Sequence, residues 1–213
     1  MGHAGTLDPL ATGLLIILIN KATRLFNRFT LMDKEYRADF RLGTVTDTWD
    51  TEGRVLEKNE NTSIEKEKLE AVLGSLTGDF CQIPPVFSAK KIAGKPSYRY
   101  ARDRSVNPAD IILKPVRVKI YEITLESFSG ADATIRLKCS SGTYVRSVVY
   151  ETGKIIGCGA TLTGLSRNGI GSFNIRDSLR FEKLEEMPEI KTGKPEMTEI
   201  FGRSIISCDD LNM

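Results

Sequence analysis

Tyr36-Arg37-Ala38-Asp39-Phe40-Arg41-Leu42 alternates apolar and charged side chains without a break. A period of two belongs to a strand with one buried and one wet face, and Gly43 ends it. Outward from this strand, Val116, Val118 and Ile120 repeat the pattern before the apolar phase slips to Ile123 and Leu125, which predicts a bulge. Ser129-Gly130-Ala131-Asp132 then predicts a hairpin turn into a partner strand on which Ala133, Ile135, Leu137 and Cys139 alternate with Thr134, Arg136 and Lys138. Leu69, Val72, Leu73 and Leu76 fall at helical spacing, with Thr62 and Glu65 as a capping box and Gly78 at the exit. Val145, Val148, Val149, Thr152, Ile155 and Ile156 predict a second helix that stops at Gly157, and residues 160–164 re-enter a strand. The Ile-rich run at residues 14–19 predicts a central strand buried on both faces, and residues 44–53, around Trp49, predict a loop. Strands and helices mixed without strict alternation make the fold class α+β.

The 213 residues suffice for one substantial domain or two small units, and 40% apolar with 27% charged side chains excludes a disordered polymer or a collagen-like repeat. Thirty Lys and Arg against 28 Asp and Glu leave a net charge of +2, so a polyanion must be met by a local basic patch. The single His3 excludes two-imidazole metal centres, and the four cysteines form no Cys-x-x-Cys pair, so no metal site is expected. Residues 14–19, the longest apolar stretch, are too short to cross a bilayer, and no signal-peptide pattern opens the chain. A cytoplasmic protein with reduced thiols and no membrane partner is expected.

Three stretches could carry chemistry. Residues 2–13, Gly-His-Ala-Gly-Thr-Leu-Asp-Pro-Leu-Ala-Thr-Gly, place Asp8 between turn glycines. Asp8 with Pro9 reads first as a helix N-cap, the commoner role, with a carboxylate nucleophile in a loop that a ligand can approach closely as the alternative. In Cys139-Ser-Ser-Gly-Thr-Tyr-Val-Arg146, a strand ends, turns at Gly142 and starts a helix with Arg146 in its first turn. A cation there opposes the helix dipole, which points to an acidic partner or an anionic ligand, with a solvated surface arginine as the alternative. Asp8, Asp47 and Asp50 are the carboxylates that could pair with it. From 83 to 105 the pattern breaks at Pro84, Pro85, Gly94 and Pro96, and Lys90, Lys91, Lys95, Arg99, Arg102 and Arg104 gather with Tyr98 and Tyr100. This is a basic projecting segment suited to phosphates and bases.

Residues 2–13 resemble the signature of TruB-type tRNA pseudouridine synthases, which act on the T-loop uridine at tRNA position 55. Asp33-Lys34-Glu35-Tyr36-Arg37 resembles the Lys-x-Tyr motif of that family, and residues 46–53, Thr-Asp-Thr-Trp-Asp-Thr-Glu-Gly, its acidic loop. Ile83-Pro84-Pro85-Val86-Phe87-Ser88-Ala89-Lys90, with Gly94-Lys95 and residues 98–102, resembles the RNA-clasping insertion, in which Phe87 stands where a tyrosine is common. Ser141-Gly142-Thr143-Tyr144-Val145-Arg146 resembles the late motif. The likeness runs in order over residues 2–177. The family's usual N-terminal segment, a strand with a Lys-Pro, Gly and Thr-Ser motif, does not precede it.

The resemblance implies the pseudouridine synthase fold, with a mixed, largely antiparallel central sheet flanked by helices. Residues 1–180 would form an N-terminally incomplete catalytic domain with an insertion at 83–105, and residues 181–213 a short tail with no PUA domain. It implies isomerisation of uridine to pseudouridine with no cofactor, on a base flipped out of the T-loop. Asp8 would be the catalytic aspartate, Arg146 its ionic partner acting through charge, and Tyr36 the aromatic that stacks on the base. His3 would fill the space that the flipped base vacates, Leu165 would wall the uracil pocket, and Asp50 would orient Arg146. Arg24, Tyr144, Lys90, Lys95, Tyr98 and Arg102 would bind the substrate. The implied partner is the tRNA T-stem-loop, met by a monomer with no protein partner. A tRNA-binding or tRNA-folding protein without a competent pocket, and more distantly an aspartate-dependent hydrolase, are the competing readings.

Overall fold

A computed structural model describes residues 1–88, 90–92, 94–101 and 111–179. The chain runs through β1 (Gly2–Ala4), β2 (Ala11–Gly13), β3 (Ile16–Leu18), a 3-10 helix (Asn20–Leu25), α1 (Phe26–Thr30), β4 (Lys34–Leu42), β5 (Thr44–Thr46) and β6 (Val55–Lys58). It continues through α2 (Lys66–Ser75), β7 (Gly78–Gln82), β8 (Lys91–Ile92), β9 (Lys95–Pro96), α3 (Ser97–Ala101), β10 (Val116–Ser129) and β11 (Asp132–Cys139). It ends in α4 (Val145–Ile156), β12 (Ala160–Ile170), β13 (Phe173–Asn174) and a 3-10 turn at Ile175–Asp177.

The main sheet has the order β13-β12-β4-β11-β10-β7, antiparallel throughout, and β2 adds to β12 in parallel. The fold is therefore α+β with a mixed, largely antiparallel central sheet. The alternation of residues 36–42 decides its centre: Ala38, Phe40 and Leu42 are at most 1% exposed, whereas Arg37 and Arg41 face water. On that wet face Arg37 pairs with Glu126 and Arg41 with Asp132. The predicted slip in β10 is real, with register shifts between Ile120 and Glu122 and between Leu125 and Ser127. Helices α2 and α4 pack against the apolar face and each other. Leu69 and Leu73 from α2, Val145, Val148 and Val149 from α4, and Ile135, Leu137 and Leu162 from the sheet form one core. Gly157 ends α4 in the left-handed conformation, φ 94°, which glycine adopts without a Cβ clash.

Four sequence expectations are corrected. Residues 14–19 are not a central strand: β3 pairs only with β1 in a separate two-stranded sheet, and Leu15 and Ile17 are 38% and 45% exposed. An Ile-rich run records apolarity but not what covers it, and here Ala4, Leu18, Leu25 and Phe29, with Ile16, Met32 and Phe173 against them, form a small second core. The capping box does not form, because Glu65 is itself the N-cap of α2 and makes no side-chain cap. Gly78 opens β7 instead of ending α2. Finally, residues 44–53 are not all loop, since Thr44–Thr46 form β5, which pairs with β6 on the far side of Trp49.

Candidate active site

Asp8 lies in the loop between β1 and β2, where no helix follows it, so the N-cap reading fails. The Ala11 N–H donates to the Asp8 carbonyl at 2.8 Å and closes a turn there. The loop is fixed from behind by Arg167 on β12. Its guanidinium donates from Nε to the Leu14 carbonyl at 2.8 Å and from Nη2 to the Gly5 carbonyl at 3.0 Å, while its own carbonyl accepts from the Leu14 N–H at 2.7 Å. A Cβ on Gly13 would lie 2.4 Å from that carbonyl oxygen, and Gly13 has φ 104°. The glycine is thus required twice over, by backbone conformation and by the close approach of β12.

Arg146, in the first turn of α4, gathers three hydrogen-bond acceptors from three segments and stands beside a second carboxylate. Its Nε donates to Asp8 Oδ2 at 2.9 Å, Nη1 to the Thr48 carbonyl at 3.0 Å and Nη2 to the Phe87 carbonyl at 3.1 Å. Asp50 Oδ2 stands 3.6 Å from Nη1. The guanidinium therefore meets two carboxylates, which offset the unfavourable helix dipole and the loss of water. Of the three carboxylates open in the sequence, Asp8 and Asp50 are selected. Asp47 instead accepts from the Arg54 N–H at 2.8 Å.

Asp50 is buried and held by its own loop. Thr48 donates its hydroxyl to Asp50 Oδ1 at 2.5 Å, the Glu52 N–H donates to the same oxygen at 3.1 Å, and the Thr46 hydroxyl donates to the Asp50 carbonyl at 2.6 Å. The exposures separate the two carboxylates: 32% of the Asp8 side chain is open to solvent, against 5% for Asp50 and 3% for Arg146. A ligand can reach Asp8 alone of the three.

Tyr36 and Arg167 are register partners on β4 and β12, and Leu165 pairs with Ala38 on the same strands and with Ala11 on β2. Leu165 belongs to the main core, against which Leu10, Ala11 and Tyr36 pack. Burial pushes the Tyr36 hydroxyl up to about 12, with the neighbouring Cys139 adding to the rise and a hydrogen bond with Arg167 opposing it. Tyr36 is consequently a neutral phenol at any physiological pH, suited to contact through its ring and not to proton abstraction. Lys34, two residues earlier, is lowered to about 8 by burial and by the Arg167 charge.

The sequence candidates thus fall into four groups. Arg146 ties Asp8 to Asp50, while Leu165 pairs with Ala11 on β2 and Tyr36 packs against the same core. Tyr144 is the N-cap of α4, and its N–H donates to the side-chain carbonyl of the buried Gln82 at 2.9 Å. His3 faces solvent on β1 opposite Ile17, and Arg24 is exposed at the end of the first 3-10 helix. Lys90 and Lys95 are exposed at the β8–β9 hairpin and Tyr98 is half-buried on α3, while Arg102 lies outside the described residues.

Arg167 and Gln82 are site residues that sequence reasoning missed. Arg167 lay two residues beyond Leu165, hence on the same buried strand face, and a charged residue in that phase was the available signal. Gln82 carried no comparable signal. Its amide donates to the Gly142 carbonyl at 2.7 Å and so ties β7 to the loop that presents Arg146.

Residues 1–145 match the TruB family pseudouridylate synthase (N terminal domain). The tRNA pseudouridine synthase B of Francisella tularensis subsp. novicida is 42% identical over 187 residues, covering 87% of this chain and 61% of that protein. That of Francisella philomiragia subsp. philomiragia is 42% identical over the same shares. The chain therefore spans 61% of the length of these relatives. Among solved structures, the crystal structure of a Cbf5-Nop10-Gar1 complex superposes with a TM-score of 0.64 at 26% identity, over 87% of this chain and 45% of that one. With the matched region extending over more than half of its residues, this chain belongs to the TruB family of pseudouridylate synthases.

Proposed function

We propose that this chain converts uridine to pseudouridine at position 55 in the T-loop of tRNA, with Asp8 as the catalytic carboxylate. The observation that carries the reading is the ion pair in which a solvent-reachable Asp8 is held by a sealed Arg146. Family membership and the names of the relatives support the reaction class. In this reading the C1′–N1 bond of the target nucleotide breaks while the base is held, the base turns, and C1′ is rejoined to C5. The C5 hydrogen leaves to water and N1 gains a proton, so no cofactor is required. Asp8 attacks the nucleoside covalently, and Arg146 holds its carboxylate in place through the 2.9 Å ion pair. Tyr36 offers its ring to the everted base, Leu165 closes the pocket beside it, and His3 occupies the space left in the T-loop. Flipping the base costs on the order of a few kcal/mol, which the contacts to tRNA must supply.

The direct test is tritium release from tRNA labelled at C5 of uridine. Release that depends on the T-loop uridine supports the proposal, and binding of tRNA without release would leave a tRNA-binding protein instead. Asp50 acts through its ion pair with Arg146, so Asp50→Asn is expected to lower the single-turnover rate about tenfold, the equivalent of about 1.4 kcal/mol, while tRNA affinity stays within about twofold. A wild-type rate in that variant would remove Asp50 from the mechanism. For the basic hairpin, Lys95→Ala is expected to weaken tRNA binding and to reduce the slope of log K against log salt by about one. An unchanged slope across a salt series would place Lys95 outside the interface.

A further inference from the structure

The basic hairpin and the ion pair are joined by one backbone group. The Phe87 carbonyl accepts from Arg146 Nη2 at 3.1 Å, and Phe87 lies in the stretch that leads directly into β8 and β9. What aims this carbonyl is a side chain from the far side of the hairpin. Ser97, the first residue of α3, is completely buried. Its Oγ lies 2.6 Å from the Val86 carbonyl and 3.1 Å from the Ser88 carbonyl, the two groups that flank Phe87, and 3.3 Å from the hydroxyl of the equally buried Ser88. The backbone closes the same ring: the Ser97 N–H donates to the Lys90 carbonyl at 2.7 Å and the Tyr98 N–H to the Ser88 carbonyl at 3.2 Å. The Val86 carbonyl is thus held by the Ser97 hydroxyl and the Ser88 carbonyl by the Tyr98 N–H, while the Phe87 carbonyl between them faces Arg146.

We propose that Ser97 is a positioning residue for the catalytic ion pair, its buried hydroxyl setting the Phe87 carbonyl that orients Arg146 and so coupling seating of tRNA on the basic hairpin to the aim of Asp8. This rests on the reading of Asp8 and Arg146 given above. A hydroxyl that served only to fold the hairpin would affect how tightly tRNA is held. A hydroxyl that acts through Arg146 affects the rate once tRNA is bound.

Single-turnover tritium release at saturating and sub-saturating T-loop tRNA separates these. Ser97→Ala is expected to lower the saturating rate about three- to tenfold, the factor that one neutral hydrogen bond of ordinary strength carries, with half-saturation within about twofold of wild type. In an Arg146→Lys background, where the side chain has no fork to reach Phe87, the same substitution is expected to lower the rate no further. A wild-type saturating rate in Ser97→Ala, a change confined to half-saturation, or an equal loss in both backgrounds would each overturn the proposal. Asp8→Asn in the same series keeps the two claims apart. Full activity there defeats the catalytic reading itself, whereas an inactive Asp8→Asn beside a wild-type Ser97→Ala defeats the coupling alone.

Discussion

Asp8→Asn is expected to abolish pseudouridine formation, lowering tritium release by at least about four orders of magnitude, the scale on which loss of a covalent nucleophile is felt. The substitution is nearly isosteric and removes one charge. Arg146 keeps the Thr48 and Phe87 carbonyls and its proximity to Asp50, so the guanidinium stays in place. Asp50 still faces the buried Arg146, so loss of the Asp8 charge leaves no buried cation unpartnered, and thermal unfolding is expected to stay close to wild type. Affinity for tRNA is also expected to persist, because the basic hairpin is untouched. The pairing of an inactive enzyme with unchanged binding and unfolding is what identifies a catalytic role. Activity within tenfold of wild type would contradict it, and would return Asp8 to the structural reading that its turn with Ala11 also permits.

Arg146→Met is expected to produce the second largest effect, and to produce it in two observables together. The side chain is buried among acceptors from the loops around Asp8, Thr48 and Phe87, and it stands beside the buried Asp50. Among the described residues, removing the cation leaves the Asp50 carboxylate with the Thr48 hydroxyl and the Glu52 N–H. Breaking a buried pair in this way costs about 3–5 kcal/mol, which corresponds to a fall in Tm of about 10 °C for a domain of this size. The rate is expected to fall roughly 100- to 1000-fold, since the carboxylate loses its orienting charge. Arg146→Lys restores charge without the planar fork and is expected to recover stability more than rate. A Met variant with a wild-type rate below its unfolding transition would show that Asp8 needs no cationic partner.

The parts of the fold that were legible in the sequence are those where one face of an element is buried and the other is wet. Residues 36–42 and the hairpin of β10 and β11 announced their strands, their bulge and their turn through alternation, and α4 announced its end through Gly157. The run at residues 14–19 misled because apolarity without a phase does not say whether a sheet or only a small local core covers the strand. For the site, chemistry alone singled out Asp8 and Arg146, yet left Asp8, Asp47 and Asp50 open as partners. A contact between residues 138 apart in sequence is a property of the sheet and α4, not of either local pattern. The family resemblance chose the pair that the geometry displays. The Arg167 clamp behind the Asp8 loop escaped notice because its acceptors are backbone carbonyls, which carry no residue-type signal.

The measurement that bears most directly on the central claim is a crystal structure of this chain with a T-stem-loop carrying 5-fluorouridine at the target position. The expected result is an everted nucleotide with its ring against Tyr36 and an Asp8 carboxylate oxygen either bonded to the nucleoside or about 3–3.5 Å from its C1′ or C6. Should the nucleotide remain stacked within the T-loop, or be everted against a surface from which the Asp8 carboxylate points away, the proposed chemistry is wrong.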